Sequence, residues 1–123
     1  MTVCANANNT VFNGEELLGR CLGKRELAAR VLARFHKQMT QDLALVQDAL
    51  STRDAVQIAH VAHRIKGAAA NVSAHGVQEQ AGALEEAARE ELWSQIPEQV
   101  EQLAGAHVEF ASAWQSFTRT LAD

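Results

Sequence analysis

The chain has 123 residues, 47% of them hydrophobic and 21% charged, which suits one folded domain with one core and excludes wholesale disorder. Seven glycines, one proline and no tyrosine, in a chain rich in alanine and leucine, argue against an all-β sandwich and for helices. The formal net charge of −4 disfavours general nucleic-acid binding, yet residues 1–66 carry +3 and residues 67–123 carry −7, a polarity that would steer a partner.

Residues 1–12 read as a polar tail ahead of a domain spanning 13–123. Asn13, with Glu16 three residues later, predicts an N-cap and capping box. The short helix they open runs through Leu17, Leu18, Cys21 and Leu22 and stops near Gly23. A long helix is predicted from about Lys24 to Leu50, on Leu27, Val31, Leu32, Phe35, Met39, Leu43, Val46 and Leu50. Ser51 to Asp54 supply the break and the next cap. A third helix, about 54–72, carries Ile58, Ala62, Ile65, Ala69 and Val72 at steps of four and three, the spacing of a bundle seam. Ser73 is a cap candidate for a fourth helix, about 75–90, with Val77, Ala81, Leu84 and Ala88 on one side. Ser94 and Pro97 mark the start of a last long helix. It bears Val100, Leu103, Val108, Phe110, Ala111, Trp114, Phe117 and Leu121, and Gly105 is a place for it to loosen or bend. Loops this short join antiparallel neighbours. The expected fold is all-α, an antiparallel up-and-down four-helix bundle with a short extra N-terminal helix.

Cys4 and Cys21 form no CxxC and no metal-ligand spacing, so free thiols in a reducing cytoplasm are expected. No apolar run reaches the roughly 18 residues of a membrane span, and the N-terminus lacks the pattern of a signal peptide. Neither a membrane nor a nucleic-acid partner is expected.

The informative stretch runs from His60 to Val72. At about 100° per residue, the seam from Ile58 to Val72 centres about 140° away from His63, which therefore faces outward. Gly67 and Ala70 fall within about 40° of His63, and Ala59 lies a turn before it. Lys66 stands on one rim and His60 on the other. Glycine inside a helix costs about 1 kcal/mol relative to alanine, and open access to the imidazole is the simplest gain that offsets it. Imidazole is nucleophilic near neutral pH, its ordinary pKa being about 6.5. Lys66, one turn on, can reach the charge of a phosphoryl group. No Gly-rich phosphate loop and no carboxylate pair suited to magnesium accompany it, so the donor phosphate and the metal must come from elsewhere.

The run Ala62-His63-Arg64-Ile65-Lys66-Gly67-Ala68-Ala69-Ala70-Asn71-Val72 resembles the signature of the histidine-containing phosphotransfer (HPt) domains of bacterial phosphorelays. The resemblance extends to the Leu17-Leu18 helix, the helix with Phe35, and Leu84-Glu85. It implies that His63 is phosphorylated and carries phosphate between receiver-domain aspartates, that Lys66 stabilises the phosphoryl charge, and that Gly67 keeps the site open. Response-regulator receivers and a hybrid sensor histidine kinase are the implied partners, with no autokinase activity and no cofactor on this chain, magnesium belonging to the receiver. Many members have a glycine soon after the alanine run, where this chain has Ser73, a departure that bears on the turn alone.

Ala59, His60, Arg64, Ala70 and Asn71 are the candidate partner-binding residues, with Val56 as further apolar surface. The competing reading is a non-catalytic interaction bundle whose small-residue stripe packs on another helix. His60 and His63 would make half a metal site at most, and zinc wants three or four protein ligands, so no metal is expected. His36 and His107 belong to no motif. Arg64 and the cluster Glu85, Glu86, Glu90 and Glu91 read as charged faces, with Glu85 able to touch the site edge. Trp93, Phe110, Trp114 and Phe117 read as packing.

Overall fold

Asn13 opens the first helix by accepting the Glu16 backbone N–H on Oδ1 at 3.0 Å. The reciprocal half of the expected capping box does not form. The Glu16 carboxylate instead accepts the Ser73 hydroxyl at 2.5 Å, and the Asn13 N–H goes to the Ser73 carbonyl at 2.9 Å. The structure, a computed structural model, describes residues 11–122, with side chains through residue 119. Cys4, Leu121 as a packing residue, and the first ten residues of the expected tail lie outside that description.

The helices are α1 (Gly14–Arg20), α2 (Arg25–Ser51), α3 (Ala55–Asn71), α4 (His75–Arg89) and α5 (Ile96–Ala122). Each of α2 to α5 packs on the next, and α5 returns to α2, closing an up-and-down four-helix bundle with α1 against α2. The α3 seam is buried as its spacing predicts, at Ile58, Ala62, Ile65, Ala69 and Val72. So is the α4 set of Val77, Ala81, Leu84 and Ala88.

On α2 the predicted stripe is right at Leu32, Phe35, Met39 and Val46 and departs from the structure elsewhere. The buried positions are Ala28, Leu32, Phe35, Met39, Asp42, Val46 and Ala49, spaced four and three throughout, while Leu27 is exposed and Val31, Leu43 and Leu50 are only partly buried. Asp42 is the polar member of this seam. Its Oδ1 accepts Arg64 at 2.7 Å and Gln38 at 3.1 Å, which satisfies a carboxylate that would otherwise be costly to bury. Phe12, read as the end of the tail, is core: its ring stands edge-on to Phe110 and Phe117, each at 5.5 Å. Leu22 and Val108, read as apolar packing positions, are exposed. The α5 helix passes Gly105 without a break, and Ser94 sits in the preceding turn rather than at its cap. His36 and His107 join α2 to α5: their ring nitrogens are 3.1 Å apart, and Trp114 lies against His36. Burial, reinforced by His36, holds the His107 imidazole below its ordinary pKa.

The first four helices end alike. The residue after each C-cap is left-handed without being glycine: Leu22, Arg53, Ser73 and Glu91, with φ between 53° and 59°. Paired backbone bonds such as Ala74 N–H to Ala69 O at 2.9 Å close each turn, the Schellman pattern. Ser73, expected to cap α4, therefore stands where glycine is the low-cost residue. The strain of about 1 kcal/mol is offset by its two bonds to α1.

Candidate functional site

Asp54 starts the helix that carries the site, accepting the Gln57 N–H on Oδ1 at 3.0 Å. Arg20 finishes it, donating to the carbonyls of Ala70 at 2.7 Å and Asn71 at 3.1 Å, where a cation also suits the helix dipole. Between these ends, the α3 seam turns His63 outward, and 64% of its side chain is exposed.

The imidazole is held by a residue from the next helix. Glu85 of α4 has a side chain only 8% exposed, and its Oε2 lies 3.0 Å from His63 Nδ1. A carboxylate only accepts, so the contact assigns the proton to Nδ1 and leaves the Nε2 lone pair free. Lys66 Nζ approaches the other oxygen, Oε1, at 2.9 Å. It does so as an ion pair, since Oε1 accepts no aligned hydrogen bond. Gly82 of α4 lies alongside the lysine stem, where a Cβ would stand in ordinary van der Waals contact, 3.4 Å from Lys66 Cδ. Arg89, one turn beyond Glu85, donates to Oε2 through Nη2 at 2.7 Å and Nε at 3.0 Å.

Burial pushes the Glu85 carboxyl up, but its contacts with Lys66, Arg89 and His63 outweigh it and bring the pKa from 4.5 down to about 2. A carboxyl depressed on folding stabilises the fold above its unfolded pKa and ceases to do so as pH falls through the folded one. The stability difference between the wild type and Glu85→Gln should therefore be constant above pH 4.5 and vanish toward about pH 2. Thermal melts of both proteins across that range check it.

The low side of the site is Gly67, which is exposed, and a Cβ built there meets nothing within 4 Å. Its helix has no steric need for glycine. One turn before His63, between the start of α3 and the end of α4, lies an open groove of about 630 Å³, with Arg53, Val56, Ala59, His60, Ala88 and Arg89 among its walls.

A family model described as the Hpt domain matches residues 30–113, well over half of the chain. The chain belongs to the Hpt domain family. Its function is thus histidine phosphotransfer in phosphorelay signalling, as a phosphocarrier module. The fold is similar to the crystal structure of histidine-containing phosphotransfer protein B from Pseudomonas aeruginosa PAO1. The two share 23% identity over 89% of this chain and 96% of that one, with a TM-score of 0.79. No curated protein matches the chain.

Of the predicted site residues, this Hpt domain brings His63 and Lys66 together on Glu85, with Gly67 beside them on open helix. His60 and Asn71 are exposed and Ala70 is partly so. Ala59 is only 7% exposed, within the groove between α3 and α4, while Val56 is 82% exposed. Arg64 is half exposed, with its guanidinium on Asp42. Among the described residues, no group of three or more His, Cys, Asp or Glu is placed to hold a metal, and no helix is long and apolar enough to cross a membrane.

Glu85 is the residue the sequence reading undervalued, and Arg89 the one it missed. A signal was present: Glu85 follows Ala81 by four residues and so lies beside the buried stripe, and Arg89 follows Glu85 by four more.

Gly67 separates fold from function. Gly67→Ala should raise stability by about 0.5–1 kcal/mol, the propensity gain in an unobstructed helix, and Gly67→Leu should fold equally well. Transfer should fall with side-chain size, by tenfold or more for leucine (about 1.4 kcal/mol). Melting curves beside transfer rates check both halves.

Proposed function

We propose that His63 is the phosphorylated residue, carrying a phosphoryl group from the aspartate of one receiver domain to that of another. The observation that carries this reading is the exposed imidazole held through Nδ1 by buried Glu85, with Nε2 free. The Nε2 lone pair attacks phosphorus, the P–O bond to the donor aspartate breaks, and that aspartate leaves as a carboxylate. The ring gains positive charge as the N–P bond forms. Glu85 faces that charge across the Nδ1 proton, where a fixed anion stabilises it most. Lys66 is within reach of the phosphoryl oxygens and can trade its ion pair for them, a point charge on a flexible stem. Return to a second aspartate reverses these steps.

Gly67 and the exposed surface at His60, Val56, Ala70 and Asn71 leave room for the receiver, with Arg64 on the α2 side. The receiver supplies the magnesium, and this chain supplies neither a cofactor nor autokinase activity. A hybrid sensor histidine kinase is a fitting upstream source, and the cytoplasm a fitting compartment. Incubation with a phosphorylated receiver and magnesium tests the reading. Acid-labile label should appear on this chain and map by mass spectrometry to His63; an unlabelled chain beside an active donor overturns it.

A further inference from the structure

Three donors converge on one oxygen of Glu85: His63 Nδ1 at 3.0 Å, Arg89 Nε at 3.0 Å and Arg89 Nη2 at 2.7 Å. The other oxygen, among the described residues, has Lys66 alone, in an ion pair without an aligned bond. The two cations differ in what they are attached to. Lys66 rides on α3 with His63, on a mobile stem close to where phosphate would arrive. Arg89 shares α4 with Glu85, one turn away, and grips it with a planar guanidinium fork.

A phosphoryl group at Nε2 carries about two negative charges and draws Lys66 off Oε1. Without the two bonds from Arg89, Glu85 would then be a buried carboxylate with a single imidazole N–H for company, a state relieved by taking up a proton or by swinging away. Either escape releases Nδ1. We propose that Arg89 is a positioning residue for transfer at His63, holding Glu85 on Nδ1 while Lys66 moves to the phosphoryl group. This rests on His63 being the acceptor. Arg89 also lines the groove beside the site, so an occupant of that groove that draws the guanidinium away would loosen the imidazole.

The test compares the full wild-type chain with Arg89→Gln and Arg89→Lys. Phosphoramidate, too small to need the groove, serves as one donor and a phosphorylated receiver as the other. Nitrogen-15 spectra of the His63 ring, recorded above its titration, report which nitrogen bears the proton. The wild type should show the Nδ1–H form. Arg89→Gln should show a mixture with Nε2–H and a maximal phosphorylation rate lower by about tenfold with both donors, the size of one charge-assisted hydrogen bond. Arg89→Lys should recover most of both. Circular dichroism melts establish that the variants are folded. An unchanged tautomer and rate in Arg89→Gln overturns the inference. So does a loss confined to the KM for the receiver, which would make Arg89 a docking contact only. Absence of label on the wild type from either donor overturns the assignment of His63, and this inference with it. A labelled wild type beside an unaffected Arg89→Gln overturns this inference alone.

Discussion

His63→Gln should give a folded bundle that takes up no acid-labile phosphate from a phosphorylated receiver. Glutamine keeps a polar side chain of similar reach and good helix propensity. The imidazole it replaces is mostly in water, so the change in stability should stay within about 1 kcal/mol. Glu85 loses one donor but keeps Lys66 and Arg89. What disappears is the nucleophile, because an amide nitrogen has no available lone pair. His60, also exposed and one turn away, provides the control: His60→Gln, whatever it costs in receiver docking, should still take up acid-labile label. It makes no contact with Glu85 among those seen for that carboxylate, so nothing fixes its tautomer there. Equal label on wild type and His63→Gln would refute the assignment whatever the fold.

The second large effect concerns stability and is asymmetric. Asp42 and Arg64 are bonded at 2.7 Å, but the Asp42 side chain is 3% exposed and that of Arg64 45%. Arg64→Met strands a buried carboxylate that retains only Gln38, and it should cost about 2–3 kcal/mol, short of the full penalty for breaking a wholly buried pair. For a chain of this size that is a fall of roughly 10 °C in Tm. Asp42→Leu, the removal of the other partner, should cost much less. The freed guanidinium regains water, and leucine restores an apolar residue to the α2 seam. Denaturant titrations of both single variants and the double variant measure the difference. Equal losses in the two single variants would show that burial does not set the penalty.

These two sites also show where the sequence was readable. The α3 seam could be read because all five of its members are apolar, and the same periodicity pointed His63 outward. The motif from His63 to Gly67 carried the rest. The α2 stripe was read only in part, at Leu32, Phe35, Met39 and Val46, because its other members are Asp42 and two alanines, so a count of large apolar residues adds Leu27 and Val31 instead. Glu85 was obscured for a related reason. A carboxylate reads as surface until its cations are placed around it, and Lys66 arrives from another helix. Phe12 gave no periodic signal because it precedes α1 and its ring partners, Phe110 and Phe117, lie about a hundred residues away. The pairing of His36 with His107 is equally non-local.

The contacts of α1 bear on where this domain can be cut. Asn13, Glu16 and Arg20 all reach the far end of α3 or the turn beyond it, yet they precede residue 30, where the match to the family begins. The leading helix is thus a peg for the helix that bears His63. A fragment trimmed to the recognisable family segment would keep every residue of the reactive face and leave the downstream end of its scaffold unanchored.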